Sequence, residues 1–438
     1  MASDNANLKY TGLLFASAVL VLAVVALINS IVDPFGMYRI SDIEGFNANK
    51  PAIYNRVRLL KAYEVRRIKP NSIILGSSRV HLGFNPSHTA WAENYEPRYN
   101  LAFDGGISKE MSAYRLHAIA SGHLQHVILG LDSSYHHISH APGSTRPGFD
   151  SSLLMNRYTW LNTARMLAAD FKLLISLSTL LESIATVRGQ SHADPVWLAQ
   201  DGQRLGEVFF RHPHENYQRF GPRYYFDEID KMEIGFQLEW RIPAPPQRQY
   251  HPAPPVEKDP TTSLGYVEMI IDYCRTHHID LKIFLTPSHV HQLEISKATG
   301  AWPAIENGKR ELVNLIEQDK MRHPDKDPIP VYDFSGYSSI TTETLPEKES
   351  RDEMLYYWES SHFKEIVGDM VLDRLLGTDQ SGLQIPEDFG VLLTSESIEQ
   401  VLARDRESQA AYSASHQLEI RAITTWVENY KHEHGIID

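Results

Sequence analysis

The sequence predicts an α/β protein built on a parallel, doubly wound sheet. Two observations carry that prediction. Short apolar runs stop at a glycine or an acid: Ile73-Ile74-Leu75 before Gly76, Tyr99 to Phe103 before Asp104-Gly105-Gly106, and His126 to Leu131 before Asp132. Continuous apolar runs of this kind read as strands buried on both faces, as in parallel sheets. Helical patterns alternate with them, such as Ser108 to Ser121 with Met111, Tyr114, Leu116 and Ile119 on one side, and Val267 to His277. Strands alternating with helices argue for crossover connections and a parallel sheet.

In chain order, residues Gly12 to Ile31 come first as an unbroken apolar stretch without charge. Twenty residues at 1.5 Å each span roughly 30 Å, the thickness of a hydrocarbon core. The stretch runs into Asn29-Ser30-Ile31-Val32-Asp33-Pro34 without an Ala-x-Ala site, so it reads as an uncleaved anchor. With one span followed by a large hydrophilic body, the expectation is a single-pass inner (cytoplasmic) membrane protein whose bulk is extracytoplasmic. The opposite topology would make it a cytoplasm-facing lipid esterase. Residues 36–69 form a juxtamembrane lead-in, in which Tyr54 to Arg67 has helical spacing with interleaved basic residues. It suits a helix on the membrane surface or one packed against the body.

The fourth and fifth strands are expected at Leu281–Pro287 and Pro330–Phe334. An insertion of residues 140–258 precedes them. Ser151 to Val187 is helical in pattern, whereas Arg211 to Pro255 carries aromatics and prolines, including Arg223-Tyr224-Tyr225-Phe226, and reads as a lid or substrate wall. Beyond Gly377, residues 378–438 read as a C-terminal extension with helices at Ser395–Ala411 and Ala414–Tyr430.

Composition bounds the chemistry. The 438 residues carry a formal net charge of -13, which argues against nucleic acid as a partner. One cysteine, Cys274, excludes an internal disulfide framework and a thiolate zinc cluster. The histidine groups His136-His137-x-x-His140 and His212-Pro213-His214-Glu215 lack the spacing of a helical zinc motif, so neither a metal nor a cofactor is expected.

Two stretches carry chemistry. Gly76-Ser77-Ser78-Arg79 follows the first strand, where open α/β sheets bind their ligands. A hydroxyl at that helix entrance suits a nucleophile, and equally a helix cap. Ser78 is the first choice as nucleophile and Ser77 the alternative. Arg79 suits a substrate anion or a buried carboxylate. The second stretch, Glu359-Ser360-Ser361-His362, sets a carboxylate three residues before a histidine, where it can fix the imidazole tautomer. His289 and His291, beyond the fourth strand, are candidate pocket residues.

Together these blocks resemble the SGNH/GDSL hydrolase superfamily over residues 70–377, the insertion apart. The resemblance implies a three-layer α/β/α sandwich, flavodoxin-like in its parallel sheet. It implies Ser78 as nucleophile, His362 as base and Glu359 in place of the family's aspartate. Gly105 or Gly106 would supply an oxyanion N–H, and Asp132, in Gly130-Leu131-Asp132, stands where the family has asparagine. An ionised aspartate cannot donate to an oxyanion as an amide does. An SGNH-like domain behind one anchor is also similar in architecture to alginate O-acetylation proteins and to the D-alanyl transfer protein of teichoic acid synthesis. That likeness implies an esterase or O-acyltransferase acting on cell-envelope polysaccharide, with an acyl donor and a membrane-bound O-acyltransferase as partners. The rival expectation is a catalytically inactive glycan-binding or scaffold module of the same fold.

Overall fold

The computed structural model describes residues 2–132, 148–155, 160–190, 198–206, 219–239, 262–380 and 382–436. The chain is mixed α/β, with a six-stranded, mostly parallel sheet. The strands are β1 (Ser72–Leu75), β2 (Arg98–Asn100), β3 (His126–Leu131), β4 (Asp280–Leu285), β5 (Val331–Asp333) and β6 (Val391–Leu392). Their order is β2-β1-β3-β4-β5-β6, parallel except for β6, which pairs antiparallel with β5 at the edge. All four residues of β1 are buried, as expected for a strand covered on both faces.

Two compact units are present. The first comprises Met1–Lys69, Leu116–Ser121 and Pro147–Val196. It holds α1 (Ala2–Val32), α2 (Val57–Ile68), α5 (Trp160–Leu174) and α6 (Leu177–Gly189). Within α1, Lys9–Val32 is a 24-residue span whose 18-residue apolar window has a mean hydropathy of 2.7, long and apolar enough to cross a membrane or serve as a signal anchor. The helix ends at Asp33, whose carboxylate accepts from the N–H groups of Met37, Tyr38 and Arg39. Seven consecutive residues of α2, Leu59 to Val65, are buried. The basic lead-in is therefore a packed helix and not one lying on a membrane surface. Its Tyr63 hydroxyl bonds Asp170 of α5.

The second unit comprises Pro70–Arg115, Gly122–Arg146 and Trp197–Asp438 and contains the whole sheet. Its helices are α3 (Ser78–Gly83), α7 (Pro222–Glu239), α8 (Ser263–Thr276), α9 (His291–Ala298), α10 (Trp302–Arg322), α11 (Glu365–Leu376), α12 (Ile398–Ser415) and α13 (Gln417–His434). Helix α4 (Ser108–Ser121) belongs to both units. The aromatic run Arg223–Phe226, expected as a wall, lies instead in α7, with Phe226 wholly buried in the main core cluster. Of the insertion's second half, residues 207–218 and 240–261 lie outside the described residues. The two C-terminal helices begin and end a few residues later than expected. They pack into the body: Ile423 and Val427 of α13 share a cluster with Ile234, Leu238 and Ile295. Lys309 of α10, buried, bridges Asp333 at the end of β5 (2.7 Å) and Asp405 of α12 (3.1 Å).

One contact positions the site. Helix α3 rests directly on α11, and a Cβ placed on Gly368 of α11 would stand 1.7 Å from the Gly83 carbonyl oxygen. No side chain fits there. Gly368→Ala is expected to force α3 away from α11 and to lower stability by about 1–3 kcal/mol, the usual cost of overpacking. Urea unfolding measures it, and an unchanged midpoint would refute this account of the contact.

Candidate active site

The sheet order reverses at β1, which pairs with β2 on one side and β3 on the other. Parallel sheets open a crevice at such a point, beyond the carboxyl ends of the strands. Ser77 and Ser78 follow β1 there, Asp104 to Gly106 follow the end of β2, and Asp132 follows β3.

Ser78 is the first residue of α3 and is half-buried. Its Oγ lies 2.7 Å from His362 Nε2. The other imidazole nitrogen, Nδ1, bonds Glu359 Oε1, and Glu359 is wholly buried. The second oxygen of Glu359 accepts from the Ser361 N–H at 2.6 Å. A carboxylate that holds Nδ1–H leaves Nε2 as an acceptor for the serine proton. The local backbone explains how three residues do this. Tyr357 and Phe363 pair antiparallel, and Trp358 N–H donates to the His362 carbonyl at 2.9 Å, so residues 358–362 form one tight hairpin. Phe363, buried, packs against Gly83 and stacks edge-on with Phe84 at 6.0 Å between ring centroids. The histidine hairpin is thereby docked on the helix that carries Ser78.

Ser77 plays the other part. Its hydroxyl caps α3, accepting from Arg79 N–H, and donates to Asp132 Oδ1 at 3.0 Å. It is 4% exposed and faces the aspartate, whereas the hydroxyl facing His362 belongs to Ser78.

The partners of Asp132 and Arg79 fix their parts beside the oxyanion pocket. Asp132 Oδ1 accepts from Ser77 (3.0 Å) and Thr286 (2.9 Å) and sits 3.3 Å from Arg79 Nη1. A carboxylate surrounded by three donors acts as an acceptor and is not a hydrogen-bond donor to substrate. Of the two roles open to Arg79, a substrate anion or a buried carboxylate, the second is the one seen: Arg79 is buried beside Asp132. Besides Asp132 it reaches the Ser361 carbonyl from Nε (2.8 Å) and the Ser361 hydroxyl from Nη2 (3.0 Å). Burial alone would lower its pKa, but Asp132 with Glu233 and Glu359 outweighs that and raises it. Glu233 of α7 sits near Ser361 and Arg79; burial raises its pKa against the opposing pull of Arg79.

The glycine loop is held from below. His81 Nδ1 lies 3.1 Å from Asp104 Oδ1, and Arg204 pairs with the other oxygen. Burial opposes ionisation of Asp104, yet these partners bring its pKa below the usual carboxylate range. Gly105 is exposed with φ +60. The Gly106 N–H closes a turn onto the Phe103 carbonyl at 2.9 Å, so it is committed within the loop. A Cβ on Gly106 would stand 2.7 Å from the Gly76 carbonyl oxygen, which fixes glycine here by close approach and not by oxyanion binding.

His289 and His291 do not line the pocket. They stand behind the hairpin, buried. His289 N–H donates to the Ser360 carbonyl (3.0 Å), and Gln292 Nε2 donates to the Ser360 hydroxyl (2.9 Å). That hydroxyl also sits against Asp230, whose Oδ2 is 2.7 Å from His291 Nδ1; His291 Nε2 is 3.1 Å from Glu419 of α13. Burial pushes the His289 pKa down to about 3. Burial would do the same at His291, but the two carboxylates outweigh it and raise the pKa to about 9. Sequence reasoning missed Asp230, Glu233, Asp104, His81, Arg204 and Glu419. Only the i, i+3 spacing of Asp230 and Glu233 on one helix was available as a signal.

Among the described residues, no group of three His, Cys, Asp or Glu side chains is placed to hold a metal ion. The histidine groups at 136–140 and 212–215 lie outside the described residues. Comparison with protein-family models and with curated proteins returns no match for this chain.

The histidine behind the hairpin has a testable consequence. The folded pKa of His291, about 9, lies above its unfolded value near 6.5. Its stabilisation is therefore complete below pH 6.5 and fades as pH rises through 9, on the order of 3 kcal/mol in all. The stability gap between wild type and His291→Gln in urea is expected to shrink from pH 6 to pH 9.5. A gap that does not change with pH would mean that His291 is not charged in the fold.

Proposed function

We propose that this chain is a membrane-anchored acyl esterase or O-acyltransferase of SGNH type, with the superfamily's three-layer α/β/α sandwich. Its working site would face the extracytoplasmic side of the inner membrane. The observation that carries the reading is the 2.7 Å contact between Ser78 Oγ and His362 Nε2, with Glu359 bonded to Nδ1 behind it. The order of the blocks along the chain and their position at the reversal of the sheet support it.

In this reading Ser78 Oγ attacks the acyl carbonyl carbon and His362 Nε2 takes the hydroxyl proton. The bond from the acyl carbon to the leaving oxygen breaks, and His362 returns the proton to that oxygen. A water or a sugar hydroxyl then gives its proton to His362 and attacks the acyl-serine, and Ser78 recovers its proton. Water as acceptor makes an esterase and a glycan hydroxyl makes a transferase. The backbone N–H of Ser78 would carry the oxyanion, since Asp132 is held as an acceptor. The envelope-polysaccharide substrate, the acyl donor and a membrane-bound O-acyltransferase partner follow from architectural likeness.

One observation favours a second reading, a catalytically silent glycan-binding or scaffold module of the same fold. Losing a side-chain oxyanion donor costs on the order of 2.7–4 kcal/mol in transition-state stabilisation. The Asp132–Arg79 pair removes that donor.

Fluorophosphonate labelling of the full-length chain separates the two readings. Modification is expected at Ser78, to disappear in Ser78→Ala and to slow by about 10²–10⁴-fold in His362→Ala. A folded protein that takes no label at Ser78 would establish the silent module instead.

A further inference from the structure

Helix α6, the second arm of the α5–α6 hairpin in the first unit, is built inside out. The face that α6 buries consists of Thr179, Ser183 and Thr186, while Leu177, Leu181 and Ile184 on the opposite side are 69%, 59% and 39% exposed. A helix covering an aqueous protein does the reverse. Helices packed together in lipid place small and hydroxylated residues against each other and turn their large apolar side chains outward. Helix α5 continues the exposed surface with Leu167 and Phe171, both 60% exposed, flanked by exposed Arg165 and Lys172. That is the pattern of a helix lying at a lipid interface with basic side chains reaching the headgroups.

The hairpin is latched to the apolar helix α1. Asn29 of α1 donates to the Leu174 carbonyl (2.7 Å) and accepts from the Ser183 hydroxyl (2.8 Å). A polar side chain inside an apolar helix needs internal partners if water is excluded, and Asn29 has them. Cover on α1 begins at Val25; residues 9–24 are exposed throughout. Contact is therefore confined to the last eight residues, roughly 12 Å of helix and less than one leaflet's share of a ~30 Å core. With 15 and 13 residues, α5 and α6 extend about 22 and 20 Å, too short to cross.

We propose that α5 and α6 form a hairpin embedded in one leaflet of the bilayer crossed by α1, with its Leu167–Phe171–Leu181 face against the acyl chains. The occupant of that face is phospholipid, because the face is continuous with the lipid-facing surface of α1. This inference rests on α1 being a membrane span.

The test uses the full chain in phosphatidylcholine–phosphatidylglycerol vesicles, with a nitrobenzoxadiazole probe on Leu181→Cys, Phe171→Cys, Leu20→Cys or Glu396→Cys. The unsubstituted chain, treated alike, reports any labelling of buried Cys274. The Leu181 and Phe171 probes are expected to lose roughly half their emission to lipids spin-labelled at carbon 5, and less to carbon 12. The Leu20 probe should favour carbon 12, and the Glu396 probe should respond to aqueous iodide alone. A Leu20 probe quenched by lipid beside Leu181 and Phe171 probes reached only by iodide would overturn the hairpin proposal and leave the anchor standing. Disulfide-linked dimers through Leu181→Cys would also overturn it, assigning the face to a second copy. If the Leu20 probe is not quenched by lipid, the anchor reading itself fails, and the hairpin proposal with it.

Discussion

The buried guanidinium of Arg79 ties together parts of the second unit that the chain brings from far apart. It belongs to the helix after β1, pairs with the carboxylate after β3, and holds both the carbonyl and the hydroxyl of Ser361. A planar cation with five donors can satisfy three partners in different directions, which an ammonium on a flexible stem cannot do as well. Removing one member of such a pair leaves a buried charge alone, at a cost of about 3–5 kcal/mol. The distance between Ser78 and His362 follows from this arrangement, because the residue after Ser78 and the residue before His362 are the ones that Arg79 joins.

The α/β class, the parallel strands and the Ser78, Glu359 and His362 trio were legible because each is written locally. Apolar runs of buried strands do not depend on distant residues, and Glu359 and His362 stand three apart on one turn. The limits of the reading have equally physical causes. Strand β6 is two residues long and carries no period. Helix α10 buries Ile305, Leu312, Val313 and Ile316 at helical spacing, a period present in the sequence. The partners of Arg79 and His291 come from residues 53 to 282 positions away, and no spacing rule reaches that far. Asp132 was recognised as a departure, but its role as the acceptor for Arg79, Ser77 and Thr286 depends on three separate segments meeting, the start of α3 and the ends of β3 and β4.

The C-terminal helices were read as an appendage, and their packing gives them a different part. Glu419 of α13 bonds His291, His291 bonds Asp230, and Asp230 sits against Ser360 in the histidine hairpin. Through α12, Asp405 meets the same lysine as the aspartate ending β5. Removing one member of such a buried set leaves its partners uncompensated, at a cost of about 3–5 kcal/mol. The tail is therefore joined to the histidine hairpin through buried charges and is part of the same packed body.

Glu359 and His362 belong to a single hairpin closed by the Tyr357–Phe363 bridge, and Ser78 to another element. The carboxylate and the imidazole therefore travel together in any displacement, and their mutual geometry is unaffected by it. What varies is one separation, between the hairpin and the first turn of α3. The geometry of the three members thus reduces to one separation, and a shift of the hairpin would carry Glu359 and His362 away from Ser78 together.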